Sequence, residues 1–275
     1  MHPDQALTIY ELRAVNDEAF AIFDADGNLA RLGANLAGLH WEADFAFVFF
    51  AGPAGPEMAE FLYDNPSLDL RHIHNLTYAQ WQDGAGAEPF TVEGLTFTSP
   101  CRPADEPRVI IDPGLAFGFG GHPTTHACLG FLARAARAVP APKAALDLGA
   151  GTGILSLAAA RWGLENVVGV DYSHLAADAA LNNLRLNGLE ERVSFFRGAA
   201  QKYARRPAEI LMANLHLSLQ EELFDLGAFE DRRFVIISGL LPSEGEKLME
   251  RLESTGLKLI DLVRTDRWIS LYLGK

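Results

Sequence analysis

Cysteine is nearly missing from this chain of 275 residues: only Cys101 and Cys128 occur, at a spacing that suits neither a disulfide framework nor a zinc site. No apolar run approaches membrane-spanning length, and the first residues carry no basic, apolar, small-residue leader. A soluble cytoplasmic protein without membrane contact is expected. Lysine is absent from residues 1–100, which hold 3 arginines against 15 acidic residues, whereas residues 101–275 hold 20 basic and 21 acidic ones. The formal net charge of −13 is therefore almost wholly N-terminal. Such a segment repels phosphate backbones, which argues against direct nucleic-acid binding, and it would attract a lysine-rich protein or peptide; solubility alone explains the charge equally well. There is no internal repeat and no Gly-x-Ser-x-Gly elbow of a hydrolase. The glycine-rich run Gly114 to Gly121 lacks the Gly-Lys-Ser/Thr of a phosphate loop. His72, His74, His122 and His126 have no carboxylate or cysteine at ligand spacing, so no metal is expected.

What is present begins with Asp147-Leu-Gly149-Ala-Gly151-Thr-Gly153, placed after the apolar Ala144 to Leu146 and before a small-residue helix pattern. Alternate glycines allow a sharp strand-to-helix turn and are expected to bring bare backbone N–H groups close to a ligand. The dinucleotide fingerprint wants its third glycine one place later, where Ile154 stands, so the pattern favours S-adenosylmethionine over NAD. Asp171 ends the apolar Val167 to Val170 about 20 residues on, as a ribose-binding carboxylate should. Ser173 is placed to cap the next helix, which leaves Asp171 for a ligand. Asn214, after Ile210 to Ala213, is a third strand-end group, able to hold the methionine moiety or orient an attacking amine. Asp147 is expected to brace the turn through backbone hydrogen bonds.

Around these motifs strands and helices alternate. Strands are expected at 145–148, 167–170, 193–196, 210–213 and 234–238, and helices at 154–162, 175–187, 219–226 and 243–254. A helix over 126–138 is expected to start at an N-cap Thr124 or Thr125 and to bury Cys128, Leu129 and Leu132. The chain ends differently, with strands 257–263 and 268–273 and no helix between them. A parallel Rossmann-like sheet closed by an antiparallel hairpin is the usual plan of class I methyltransferases. The N-terminal part reads as a small α+β domain: short strands at 20–23 and 28–32 around the turn Asp24 to Gly27, a buried strand at 46–50, a helix at 57–63 and a strand at 91–98. A short strand follows at 109–111. The expected organisation is an N-terminal domain at 1–100, a linker at 101–124 and a catalytic domain at 125–275.

The block Asp112-Pro-Gly-Leu-Ala-Phe-Gly-Phe-Gly-Gly-His-Pro-Thr-Thr125, together with the glycine turn, Asp171 and Asn214-Leu215, resembles the ribosomal protein L11 methyltransferase family over residues 77–275. The resemblance implies an N-terminal substrate-recognition domain joined to a class I catalytic domain. It implies methyl transfer from S-adenosylmethionine to lysine side chains and the N-terminal amine of ribosomal protein L11, by a protein expected to be monomeric. Cofactor contacts are expected from Thr125, Asp147, Gly149, Gly151, Gly153, Asp171 and Asn214, with Asn214 as the catalytic residue and His122 as a candidate base. The chain departs from the family pattern at Trp81 to Pro89, at Cys101 and at Phe119. Methylation of another protein's lysines or of a small molecule, and a non-catalytic module binding cofactor and protein, are the alternatives.

Overall fold

The computed structural model describes residues 4–14, 29–42, 45–78, 80, 88–100, 102, 104–114, 120–265 and 267–275. The chain divides into two compact units, Met1–Ala85 and Gly86–Lys275. No helix among the described residues is long and apolar enough to cross a membrane.

The N-terminal unit is a four-stranded antiparallel sheet with a helix. Its strands are β1 (Ala6–Ala14), β2 (Leu36–Glu42), β3 (Phe45–Phe50) and β4 (Leu68–Thr77), in the order β2-β3-β1-β4. Tyr10 faces Val48 and Leu12 faces Ala46 in the β1–β3 register. These side chains pack with Phe50, Met58 and Phe61 in one core, the last two from the helix Gly55–Asp64. Pro56 at the start of that helix and Glu57 in its first turn suit an N-terminus that has unpaired N–H groups and a positive dipole end. The expected strand at 28–32 is instead a 3-10 turn over Leu29–Leu32. The expected strand at 20–23 and the turn at 24–27 lie outside the described residues.

The C-terminal unit opens with β5 (Phe90–Val92), β6 (Leu95–Thr98) and β7 (Arg108–Ile110), a three-stranded sheet; β7 falls on the short strand expected at 109–111, and the single strand expected over 91–98 is two. The chain reverses at Glu93 and Gly94, both with positive φ (48° and 80°), which is the geometry of a tight two-residue hairpin. Leu95, Phe97, Val109 and Ile111 bury in the same core as the helix Pro123–Ala136. By contact, residues 86–112 therefore belong to this unit; the domain boundary expected at residue 100 falls at 85/86, because these apolar side chains need that core.

The main sheet contains β8 (Ala144–Leu148), β9 (Asn166–Asp171), β10 (Val193–Arg197), β11 (Ile210–Asn214), β12 (Phe234–Leu240), β13 (Lys258–Arg264) and β14 (Ile269–Gly274), in the order β10-β9-β8-β11-β12-β14-β13. β8 to β12 run parallel, and β14 is antiparallel to both β12 and β13. Helices cover both faces, which is why the central strands are mostly apolar, with Asp147 the charged exception inside β8. On one face Ala145, Ile210, Met212 and Ile236 pack on the helices Pro123–Ala136 and Ile154–Arg161. On the other, Leu146, Leu148, Leu211, Val235 and Ile237 meet Leu223, Leu248 and Leu252 from the helices Leu217–Asp225 and Pro242–Leu252.

Candidate functional site

β9, β8 and β11 are neighbours, so their carboxyl ends set Asp171, the glycine turn and Asn214 in a row. The chain moves outward from β8 to β10 and then returns to the far side of β8, placing a topological switch point between β8 and β11. Ligands bind outside the carboxyl ends of strands at such a point.

Gly149, Gly151 and Gly153 all have positive φ, at 76°, 54° and 82°. A Cβ on Gly149 would come within 2.3 Å of Leu215 Cδ2, and one on Gly153 within 2.5 Å of Phe195 Cζ. Conformation and close approach therefore both select glycine at these two positions. The expectation of bare N–H groups is overturned at four positions. Gly149 and Ala150 donate to the Val170 carbonyl at 2.9 and 3.0 Å, and Gly153 donates to Ala150 at 2.8 Å. Gly151 N–H donates to Asp171 Oδ2 at 2.9 Å. The turn is locked to the end of β9 by its own donors, and so it offers shape where a phosphate loop would offer an anion cradle.

Asp171 is half-buried, and its second oxygen, Oδ1, accepts from Ser173 N–H at 2.9 Å. Ser173 caps the following helix, as the sequence suggested. Each carboxylate oxygen keeps acceptor capacity beyond its one backbone bond. Asp147 is buried beneath the turn on β8. In place of the backbone bonds expected to brace the turn itself, it braces the helix that follows, since Oδ2 accepts from the Ser156 hydroxyl at 2.7 Å, while Oδ1 has no hydrogen-bond partner. Burial raises its pKa to about 7, opposed by the Ser156 bond and reinforced by the negative charge of Asp171.

Asn214 Nδ2 donates to Thr124 Oγ1 at 3.3 Å, and that hydroxyl lies 2.7 Å from His122 Nδ1. Thr124 N–H also points at Nδ1, at 3.4 Å. With Thr124 accepting from Asn214, its hydroxyl proton goes to Nδ1, which leaves the His122 proton on Nε2. The helix N-cap is thus His122, and Thr124 and Thr125 sit buried in the first turn, because Pro123 holds a leading position that needs no N–H partner. The His122 ring meets Trp268 of the terminal hairpin edge-on, with centroids 5.2 Å apart. Among the described residues no hydrogen bond reaches Asn214 Oδ1.

The sequence reading missed the groups that support this row. Buried Gln220 donates to Ala213 O at 2.7 Å, with longer contacts to the Leu215 and Ser238 carbonyls at 3.4 Å, which holds the Asn214-Leu215 corner from behind. Gly239, with φ at 83°, has room for no Cβ, because the Leu215 carbonyl would lie 2.7 Å from it. Asn183 and Asn187, one turn apart on the helix His174–Asn187, bind the backbone of Ile110 and Asp112. Polar residues at a four-residue spacing in an alanine-rich helix were the available signal. Gly120, from the end of the glycine-rich run, leaves only 2.7 Å between a built Cβ and Ile154 Cδ1. Residues 115–119, 81–87 and Cys101, which include the departures from the family pattern except Glu88 and Pro89, lie outside the described residues. His72 and His74 lie on β4 of the N-terminal unit.

This sheet order, with its closing hairpin, its glycine turn and an acidic residue at the end of β9, defines a class I methyltransferase fold. Comparison narrows the class: residues 79–275 match the family model described as Ribosomal protein L11 methyltransferase (PrmA), and the chain belongs to that family. It is 31% identical over 242 residues to a ribosomal protein L11 methyltransferase of Geotalea daltonii, covering 82% of this chain and 76% of that one. The corresponding protein of Bacillus cereus (strain G9842) is 32% identical over 187 residues, 66% of this chain and 56% of the relative. That of Gloeobacter violaceus is 35% identical over 178 residues, 62% and 54% of the two chains. The matched segment thus spans little more than half of the latter two. A crystal structure of the ribosomal protein L11 methylase from Lactobacillus delbrueckii subsp. bulgaricus shares the fold, with a TM-score of 0.59 at 24% identity, covering 68% of this chain and 98% of that one.

Proposed function

We propose that the protein transfers methyl groups from S-adenosylmethionine to protein amines, lysine side chains and the N-terminal amine, with ribosomal protein L11 as the substrate. The observation that carries the cofactor assignment is the glycine turn whose N–H groups are engaged internally beside a half-buried carboxylate. That arrangement fits a nucleoside with a free ribose diol and no phosphate. Asp171 has lone pairs left for both hydroxyls, Asp147 Oδ1 is an unpaired acceptor under the turn, and Thr125 stands in the adjacent helix start.

When bound, S-adenosylmethionine supplies a methyl group on a sulfonium, a leaving group that needs no acid catalyst. The chain's contribution is to position an uncharged amine in line with that methyl. Asn214 is held from one side through Nδ2 by Thr124, so Oδ1 is the atom left to accept an N–H of the incoming amine and aim its lone pair. The acceptor nitrogen, oriented by Asn214 Oδ1, would take on its lone pair the methyl group of S-adenosylmethionine held beside Asp171, and release a proton to solvent. A lysine acceptor must arrive neutral, and loss of water around it lowers its pKa toward that state. In the geometry described the His122 lone pair is on Nδ1 and accepts from Thr124, so only the other tautomer presents a free lone pair, at Nε2. The acidic N-terminal unit, with no lysine of its own in residues 1–100, is the proposed recognition surface for a lysine-rich protein.

The test is incubation of the purified protein with methyl-labelled S-adenosylmethionine and cell extract, followed by identification of the labelled species. Label on L11 is the expected result. Label on a different protein or on a small molecule redirects the substrate assignment, and absence of label supports a binding module in place of an enzyme.

A further inference from the structure

The two asparagines on the helix His174–Asn187 act as a strand made of side chains. Asn187 Oδ1 accepts from Ile110 N–H at 2.9 Å, and its Nδ2 donates to Ile110 O at 2.7 Å. Asn183 repeats the exchange two residues along, accepting from Asp112 N–H at 2.8 Å and donating to Asp112 O at 3.0 Å. Alternate residues of an edge strand present both backbone groups to the same side, so amides one helical turn apart meet residues 110 and 112 as a neighbouring strand would. The opposite side of this segment pairs with β6, from which Thr98 O receives Ile111 N–H. Both asparagines are buried, where an unpaired amide is costly.

The pair is not symmetric in what else it holds. The third bond of Asn187 goes to Asn183 O at 2.8 Å, inside its own helix. The third bond of Asn183 goes to Thr152 O at 2.9 Å, in the glycine turn. One side chain therefore joins the turn between β8 and its helix to Asp112, whose own carboxylate fixes the next bend by accepting from Gly114 N–H at 2.9 Å. Both segments thus meet at Asn183, next to the glycine turn to which the cofactor is assigned above.

From this geometry we infer that Asn183 is a positioning residue for the cofactor site, setting the glycine turn and the Asp112–Gly114 bend as one unit, while Asn187 performs the same backbone chemistry for stability alone. The inference rests on the S-adenosylmethionine reading above. Asn183→Ala and Asn187→Ala each remove three hydrogen bonds from the same helix, which makes them a matched pair. Titration calorimetry with S-adenosylmethionine and thermal melting of the full chain separate the two roles. Both variants lower Tm, and only Asn183→Ala weakens cofactor binding, by about tenfold, which corresponds to one lost buried hydrogen bond. In turnover the loss is expected in KM for the cofactor more than in kcat. Equal affinities in the two variants, with wild type binding normally, overturn the inference. Should Asn183→Ala fail to fold, hydrogen exchange on the wild type replaces it. Cofactor binding is expected to raise protection at residues 149–153 and 110–114 together, and protection confined to 149–153 overturns the inference. A wild type that binds no S-adenosylmethionine refutes the functional reading itself, and the inference with it.

Discussion

The two ends of the main sheet treat buried polar groups in opposite ways. At the amino end, ahead of β11 and β12, the buried guanidinium of Arg232 donates to the carbonyls of Ala204, Arg206, Ala208 and Ala228 at 2.7 to 3.1 Å, and burial lowers its pKa. Each of its three nitrogens there has an acceptor within the fold. At the carboxyl end Asp147 Oδ1 and Gln220 Oε1 are buried without partners, and no hydrogen bond among the described residues reaches Asn214 Oδ1, in an amide fixed at its other atom. Buried polar groups without partners are rare in folded proteins and call for a reason. The same sheet thus has an end whose polar groups are paired within the fold and an end with unused polar capacity, which the proposed function gives to a ligand.

The sharpest way to break this comparison is to remove Arg232. Arg232→Met strands four carbonyls, two of them in buried hydrogen bonds, and should cost about 2–4 kcal/mol of stability in a denaturant melt, with cofactor affinity unchanged in the folded fraction. A loss of affinity without loss of stability would erase the division between the ends. Next comes Asn214→Ala, expected to lower kcat about 100-fold, the scale of removing one transition-state hydrogen bond, while Tm stays near wild type. Unchanged turnover removes the proposed catalytic role.

Within the open end, Gly149→Ala and Gly151→Ala sharpen the account of the turn. Both glycines have positive φ, but only the Gly149 Cβ collides, with Leu215. The expected costs are about 2–3 kcal/mol at Gly149 and about 1 kcal/mol at Gly151 by chemical denaturation. Equal costs would mean that close approach does not matter. The smallest effect concerns pH. The Asp147 pKa is raised from 3.8 to about 7 in the fold, so between those values the native state holds a proton that the unfolded chain has released. Its contribution to stability is complete below pH 3.8 and is lost as pH rises toward 7. Asp147→Asn should flatten that decline in melts across this window; an identical slope in wild type and variant would place the charge elsewhere.

The main sheet was legible because its strands are apolar runs of strand length separated by helices of ordinary period. Asp171 and Asn214 could be read from their places after such runs. The side-chain ladder of Asn183 and Asn187 could not, because its partners lie more than 70 residues away and the four-residue spacing of two asparagines marks a helix face without saying what it binds. The hairpin at Glu93-Gly94 was hidden by a positive φ on a glutamate, a residue that seldom marks a turn. The N-terminal unit was least legible: β1 (Ala6–Ala14) and β2 (Leu36–Glu42) were not anticipated, since their mixed apolar and polar residues gain definition only from antiparallel partners.

The central claim is that the glycine turn, its N–H groups engaged internally, forms a site for S-adenosylmethionine through Asp171. Calorimetric titration of wild type and Asp171→Ala with S-adenosylmethionine, and of wild type with NAD, tests it most directly. The account predicts that wild type binds S-adenosylmethionine and not NAD, and that Asp171→Ala binds at least tenfold more weakly, about the effect of losing hydrogen bonds to a charged acceptor. Comparable binding of NAD, or an unchanged affinity in Asp171→Ala, would contradict it.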